Sequence, residues 1–308
     1  MKDFQSIKRV LFEVIFVSIP FILISCLLVI RAMDETVERA IDQQNVRSYN
    51  ANYVAKPYPI LNQSQIPLIS AYAALIMDDA SQVVLYAKNL RFRFSMASTT
   101  KLMTALVGLD YFASDDILTV RRSGVEGAII GFPLRERLFF DDLLYAMLLP
   151  SGNDAAYAIA DNYPGGVVSF ISAMNKKAKK LNLHETNFSD PAGLSDSGYT
   201  TVFDLARLTS FAIKDETIAR VTGTKEKVIT NVDSSREYAF SNLNKLLGLE
   251  GVVGVKTGFT QEAGEVLITA KVEDGHTFIV IVMKSRDRFL DTQKLLSFLS
   301  NNVAFFTP

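Results

Sequence analysis

The chain has 308 residues, 49% of them hydrophobic, and its 32 basic and 33 acidic side chains leave a formal net charge of -1. A chain of this length and composition can bury a sizeable core in one large domain or two smaller ones. Nucleic-acid-binding proteins usually carry a basic surplus or a basic stripe, whereas the charges here are balanced and scattered. The composition therefore argues against a disordered chain and against a nucleic-acid partner.

Histidine and cysteine are too scarce for several common kinds of active site. The single cysteine, Cys26, lies in an apolar N-terminal run, so a folded domain downstream has neither a disulfide nor a cysteine nucleophile. His184 and His276 are far apart and lack ligand-like spacing, which argues against a zinc site or a Ser-His-Asp triad. Nucleophilic catalysis would need a base other than histidine.

The first predicted element is a single membrane-spanning helix over residues 10–30. This apolar run carries one charge, Glu13, and at about 1.5 Å per residue it can span the roughly 30 Å hydrocarbon core of a bilayer. Basic residues precede the run and mainly acidic residues follow it, so residues 1–9 are predicted to be cytoplasmic and the rest of the chain extracytoplasmic. No cleavage site of small residues follows, which favours an uncleaved signal anchor.

An alternative for this segment is lipidation of Cys26. Residues 23–26 (LISC) loosely resemble the lipobox of bacterial lipoproteins, in which the cysteine is lipidated and becomes the new N-terminus. The likeness is loose because residues 27–30 would leave four apolar residues after the modified cysteine. A cysteine packed within the membrane helix is the favoured interpretation.

Residues 31–65 are polar and irregular, which predicts a juxtamembrane linker before a folded domain over residues 66–308. This domain begins with two predicted strands around a turn and ends with three more. The strands cover residues 71–77, 82–86, 252–256, 266–272 and 277–283.

Between the two groups of strands lies a long section with helical spacing of apolar residues. The helices predicted there cover residues 141–149, 154–161, 167–181 and 202–213, and a final helix covers 287–301. Strands contributed from both ends predict an α+β fold, in which one antiparallel sheet is covered by helices and joined by a mostly helical lobe. A cleft is expected where the sheet and the lobe meet.

The first chemical motif is a serine and a lysine, Ser98 and Lys101, at the start of a predicted helix. At positions i and i+3 they share one face, so the amine can reach the hydroxyl. The free N-H groups of the first helical turn favour negative charge developing near Ser98. A buried lysine can lose its proton near neutral pH and act as a general base, although a solvated lysine is the ordinary alternative.

Two further motifs are weak alone and strong together with the first. Residues 151–153 (SGN) lie between two predicted helices, and residues 256–258 (KTG) end a predicted strand. Serine, glycine and asparagine are also common turn and cap residues. In this order, however, Ser-x-x-Lys, Ser-x-Asn and Lys-Thr-Gly resemble the three signatures of penicillin-binding proteins and serine β-lactamases.

Residues 66–301 resemble the catalytic domain of the low-molecular-mass penicillin-binding proteins, the serine-type D-alanyl-D-alanine carboxypeptidases of the peptidase S11 type. The likeness also covers residues 149–156, 187–194, 200–206, 241–247, 254–260 and 288–289. It implies a hydrolase that acts on peptidoglycan stem peptides without a metal or an organic cofactor, and that β-lactams inhibit. Together with the predicted anchor, it implies a single-pass protein of the bacterial cytoplasmic membrane whose catalytic domain faces outward.

The resemblance also implies how the covalent chemistry is divided. Ser98 would attack the carbonyl between two D-alanines and carry the acyl group, while Lys101 would accept its proton. Ser151, held in a chain between Lys101 and Lys256, would relay a proton toward the leaving amine. Asn153 would hydrogen-bond the peptide of the substrate.

Substrate binding is assigned by the resemblance to the Lys-Thr-Gly strand and its surroundings. Lys256 and Thr257 would hold the C-terminal carboxylate of the substrate, with Arg288 as a further candidate that could equally be a surface arginine. Gly258 would let the substrate lie close to the strand as an added β-strand. Backbone N-H groups of the nucleophile and of Phe259 would form the oxyanion hole.

Three alternatives remain open. An endopeptidase that cuts D-alanyl cross-links would meet the same bond in a cross-linked peptide. A class A serine β-lactamase shares the fold and the motifs but uses a loop glutamate in a Glu-x-x-Leu-Asn pattern, which does not occur between residues 153 and 256. A non-catalytic, membrane-tethered binding protein would keep the fold without turnover, although the complete motifs argue against it.

Overall fold

A computed structural model of the protein describes residues 29–33, 36–37, 58–62, 65–300 and 302–306. The chain divides into one unit over residues 1–56 and another over residues 57–308. The predicted cytoplasmic segment, Cys26, nearly all of the predicted membrane helix and most of the predicted linker lie outside the described residues. Within the described ranges, no helix combines the length and the apolar character needed to cross a membrane.

A five-stranded antiparallel sheet lies at the centre of the second unit. In spatial order its strands are β3 (Val84–Lys88), β2 (Ala73–Asp78), β10 (His276–Ser285), β9 (Gly264–Glu273) and β8 (Val252–Thr260). Strands from both ends of the folded region meet in this sheet, which confirms the predicted α+β architecture. In the part of the chain that the structure describes, no strand pairs with the outer edge of β8.

Both faces of the sheet are buried because its strands are apolar on both sides. Along β2, Leu75 and Met77 pack with the helical lobe, whereas Ala74 and Ile76 pack on the opposite face. Leu295 of the last helix belongs to that second core. Since side chains alternate between the faces of a strand, a strand buried on both sides has an unbroken apolar sequence.

Helices fill the section between the two groups of strands, and one more helix follows β10. They are α1 (Lys101–Leu109), α2 (Phe140–Leu148), α3 (Asn153–Asn162), α4 (Gly166–Lys180), α5 (Val202–Ala212), α6 (Glu216–Thr222) and α7 (Arg288–Leu299). One turn of 3-10 helix, Ala97–Thr100, leads directly into α1. Thr201 caps α5 and Asp287 caps α7, each accepting hydrogen bonds from N-H groups that have no partner inside the helix.

Three short strand pairs add elements that the sequence does not predict. They are β1 (Tyr58–Leu61) with β11 (Val303–Phe306), β4 (Ile117–Thr119) with β5 (Arg137–Phe139), and β6 (Glu226–Thr230) with β7 (Glu237–Ser241). β1 falls inside the predicted linker, so folded structure begins before the predicted domain boundary at residue 66. Its partner lies at the other end of the chain, and no local pattern reveals such a pairing.

Candidate active site

The predicted serine lies in the turn of 3-10 helix that leads into α1, and the predicted lysine is the first residue of α1. Lys101 Nζ is 2.8 Å from Ser98 Oγ. A 3-10 helix has about three residues per turn, so side chains at i and i+3 eclipse one another more closely than they do in an α-helix. Lys101 is fully buried, which excludes the alternative of a solvated lysine.

Three acceptors surround the amine of Lys101. Besides Ser98 Oγ, they are Asn153 Oδ1 at 2.7 Å and the carbonyl oxygen of Ala192 at 2.9 Å. An amide oxygen and a backbone carbonyl can only accept hydrogen bonds, whereas a serine hydroxyl can also donate one. A neutral amine has two N-H groups and one lone pair. When the two N-H groups bind Asn153 and Ala192, the lone pair faces the hydroxyl of Ser98.

Burial and a second lysine favour the neutral form of Lys101. Loss of hydration lowers the pKa of Lys101 well below its ordinary value, and the charge of Lys256 lowers it further. The charges of Asp190 and Asp154 act in the opposite direction. Lys256 is itself buried, and desolvation together with nearby Arg288 lowers its pKa to about 7. The electrostatics therefore suit Lys101 to the predicted role of general base.

Asn153 is held by the backbone of a loop that lies beside it. Its Nδ2 donates to the carbonyl oxygen of Glu126 at 2.7 Å, and its own N-H donates to that of Ala128 at 2.6 Å. The carboxylate of Asp154 accepts hydrogen bonds from the N-H groups of residues 130–132. These contacts direct the amide oxygen of Asn153 toward Lys101. Asn153 therefore orients the base, in addition to the substrate contact predicted for it.

Ser151 lies in the buried turn before α3, and it adopts a left-handed backbone conformation with φ of 69°. Among the described residues, neither lysine hydrogen-bonds to its hydroxyl. Lys101 binds Ser98, Asn153 and Ala192, while Lys256 Nζ donates to the carbonyl oxygen of Thr257 at 3.1 Å. The predicted chain of hydrogen bonds from Lys101 through Ser151 to Lys256 is thus not formed here. A relay role for Ser151 stays a prediction.

The Lys-Thr-Gly strand packs against the turn that carries the nucleophile. A side chain at Gly258 would crowd this turn, because a Cβ atom there would lie 3.2 Å from Ala97 Cβ and 3.3 Å from the backbone nitrogen of Ser98. The sequence predicts that this glycine makes room for the substrate, and in the structure it also makes room for the serine. Phe259 follows Gly258 on β8, so the two predicted oxyanion donors come from elements that pack against each other.

Arg288 reaches the same strand from the start of α7. Its Nη1 donates to the carbonyl oxygen of Gly258 at 2.9 Å, and its backbone N-H donates to Glu265. The structure therefore places Arg288 beside the Lys-Thr-Gly motif rather than on an unrelated surface. A cation at this position is suited to a carboxylate bound at the end of β8.

Some groups that shape the site lie in a segment that resembles the family, residues 187–194, but the sequence alone assigns them no role in the site. The carbonyl of Ala192 binds Lys101, and Asp190 holds the turn that presents it. From the sequence, Asp190 and Asp204 are interpreted as cap or turn residues, and both do accept backbone N-H groups. Asp190 contributes to the site only through the contact between Ala192 and Lys101, which are distant in the sequence.

A buried lysine in hydrogen-bond contact with a serine, beside an edge strand of an antiparallel sheet, is the arrangement of an acyl-transferring serine enzyme with a lysine base. The family model for D-alanyl-D-alanine carboxypeptidase, peptidase S11, matches residues 61–287. The chain belongs to this family, which confirms the predicted resemblance.

Individual relatives are similar over most of the folded region. A D-alanyl-D-alanine carboxypeptidase of Streptomyces sp. (strain K15) is 34% identical over 255 residues, covering 75% of this chain and 88% of the relative. A D-alanyl-D-alanine endopeptidase of Escherichia coli (strain K12) is 31% identical over 264 residues, covering 83% and 85% respectively. The crystal structure of the Streptomyces K15 DD-transpeptidase matches with a TM-score of 0.73 at 32% identity, covering 76% of this chain and 98% of that one.

Proposed function

We propose that the protein is a serine carboxypeptidase that removes the terminal D-alanine from peptidoglycan stem pentapeptides. The observation that carries this proposal is the buried pair of Ser98 and Lys101, in which Nζ lies 2.8 Å from Oγ and its two other partners can only accept hydrogen bonds. Relatives named D-alanyl-D-alanine carboxypeptidase support the same reaction at the same bond.

In the proposed reaction, Ser98 Oγ attacks the carbonyl carbon between the two D-alanines and its proton passes to Lys101. The N-H groups of Ser98 and Phe259 stabilise the resulting oxyanion, each contributing about 3 kcal/mol. The C-N bond then breaks, and the terminal D-alanine leaves once its amine has taken up the proton that Lys101 received, which Ser151 is proposed to relay. Water finally hydrolyses the ester on Ser98 and releases the shortened peptide.

The substrate is proposed to bind along β8 with its carboxylate at the cationic end of the site. The outer edge of β8 offers main-chain groups that can pair with an extended peptide as an additional strand. Lys256 and Arg288 supply positive charge close to the same strand. β-Lactams carry an acylating carbonyl together with a carboxylate, so we propose that they inhibit the protein by acylating Ser98.

The test is release of D-alanine from a stem pentapeptide by the full-length chain in detergent, with Ser98→Ala as the matched control. We expect release by the native protein and none by the variant, and a labelled penicillin should modify the native protein alone. Cleavage of a D-alanyl cross-linked dimer without cleavage of the pentapeptide would establish an endopeptidase instead, as one of the relatives is named. If folded protein cleaves neither substrate, both enzymatic proposals fail.

We also propose that residues 10–30 anchor the protein in the bacterial cytoplasmic membrane, with the catalytic unit outside. The apolar run and the basic residues that precede it support this proposal. After an alkaline carbonate wash, we expect the full-length chain in the membrane pellet and a chain without residues 1–30 in the supernatant. Cys26→Ser should stay in the pellet; its release would show that lipidation of Cys26 is the anchor instead.

A further inference from the structure

The turn formed by residues 190–195 is organised by a single buried carboxylate. Asp190 Oδ1 accepts hydrogen bonds from the N-H groups of Ala192 at 2.7 Å and Gly193 at 2.6 Å, and from that of Leu194 at 3.1 Å. Its Oδ2 accepts a fourth from the N-H of Ser195 at 2.8 Å. Asp190 is 6% exposed, so these four donors take the place of water around a buried charge.

The same turn is fixed against the nucleophile from two sides. Thr104 of α1 donates from Oγ1 to the carbonyl oxygen of Pro191 at 2.6 Å. Gly193 has a φ of +82°, and a Cβ atom at that position would collide with the carbonyl of Ala97, which directly precedes the catalytic serine. A small displacement of this turn would therefore change the positions of the nucleophile and its base.

One carbonyl of the turn contacts the base itself. The carbonyl oxygen of Ala192 lies 2.9 Å from Lys101 Nζ. The N-H of the same residue donates a hydrogen bond to Asp190. We propose that Asp190 is a positioning residue for the general base: by folding residues 190–195 into this turn, it presents the Ala192 carbonyl to Lys101. This inference rests on the proposed function, because it concerns the base of that reaction.

The charge of Asp190 gives the proposal a second, measurable consequence. The charged groups that face Lys101 are Lys256 from β8, Asp154 from α3 and Asp190 from the turn. A negative charge near an amine favours the protonated form, and Asp190 raises the pKa of Lys101 against the larger effect of burial. Removing the charge of Asp190 should therefore lower the pKa of Lys101 further.

The experiment measures acylation of the full-length chain by a labelled penicillin as a function of pH. Acylation requires neutral Lys101, so the rate rises with pH through the pKa of this group. In Asp190→Asn we expect the maximum rate to fall about tenfold, because an amide nitrogen cannot accept the hydrogen bonds that one carboxylate oxygen now accepts. The acidic limb of the profile should also move toward lower pH, because the charge that raises the pKa of Lys101 is gone. If acylation is slower but its acidic limb stays at the native pH, Asp190 is merely structural and the proposal is overturned.

Asp204→Asn is the matched control. Asp204 accepts hydrogen bonds from the N-H of Glu185 at 2.7 Å and from Thr186 Oγ1 at 2.9 Å, at the start of the same segment, and it makes no contact with Lys101. We expect this variant to lose stability and to keep the native limb. A shift of the limb in the control as large as that in Asp190→Asn would also contradict the proposal.

A second variant covers the case in which Asp190→Asn does not fold. Thr104→Val removes the hydrogen bond to Pro191 and loosens the same turn without changing its charge. Because the Ala192 carbonyl then leaves Lys101, acylation should slow several-fold, and native rates would refute the positioning role. Failure of the native protein to react with penicillin at any pH would instead refute the proposed function.

Discussion

Lys101→Met should reduce acylation of Ser98 by about 10² to 10⁴-fold, the range that a well-placed general base contributes. Methionine has nearly the length of lysine and no proton acceptor of comparable strength, so the buried volume is kept while the base is lost. The variant should still fold, because an apolar side chain suits a fully buried position. The measurement is the rate of labelling by a fluorescent penicillin, together with a thermal unfolding curve.

Lys271→Met supplies the control for that experiment. Lys271 is also buried, but its amine pairs with Glu273 at 2.9 Å and contacts Ser300, away from the Ser-Lys pair. We expect the control to be acylated at the native rate and to lose stability, because it leaves the carboxylate of Glu273 without its partner. If both variants lose acylation equally, the loss comes from disturbing the fold at a buried lysine. That result would contradict the assignment of Lys101 as the base.

The Michaelis constant for a pentapeptide with a free C-terminal carboxylate should rise about tenfold or more as the pH increases above about 7. The pKa of Lys256 is lowered to about 7, chiefly by burial and then by Arg288. Below this pH Lys256 is cationic and can pair with the carboxylate, and above it the amine is neutral. Losing one charged hydrogen bond of about 1.5 to 3 kcal/mol corresponds to roughly a tenfold to hundredfold weaker interaction.

A pentapeptide with a C-terminal amide provides the comparison substrate. It lacks the carboxylate, so its Michaelis constant should not change as Lys256 loses its proton. Lys256→Met should remove the same pH dependence for the acid substrate. If the acid and amide substrates respond to pH alike, another group causes the effect and Lys256 does not bind the carboxylate.

The sequence predicts those parts of the site that are formed by side chains a few positions apart. Ser98 and Lys101 are three positions apart, and the apolar runs over residues 71–77 and 277–283 predict the strands β2 and β10. The carbonyl of Ala192 could not be predicted, because every residue has a carbonyl and this one is 91 positions from Lys101. The same reason explains why the pairing of β1 with β11 was missed.

The arrangement around Ser151 shows a different limit. Its place next to α3 follows from the sequence, but whether its hydroxyl binds either lysine depends on the relative placement of three separate elements. In the structure, Lys101 binds the amide oxygen of Asn153 and not the hydroxyl of Ser151. No spacing rule decides which side chain of this motif contacts the amine.

The two carboxylates that hold the loops of the site bind main-chain N-H groups only. Asp154 holds residues 130–132 and Asp190 holds residues 192–195, so these hydrogen bonds do not depend on which side chains the loops carry. Some of those side chains are buried in the core, as Phe132 and Ala192 are, whereas the neighbouring Ile129 is 53% exposed. Exposed positions on the rim such as Ile129 can therefore change without disturbing the serine and its lysine, whereas the buried positions are constrained by packing.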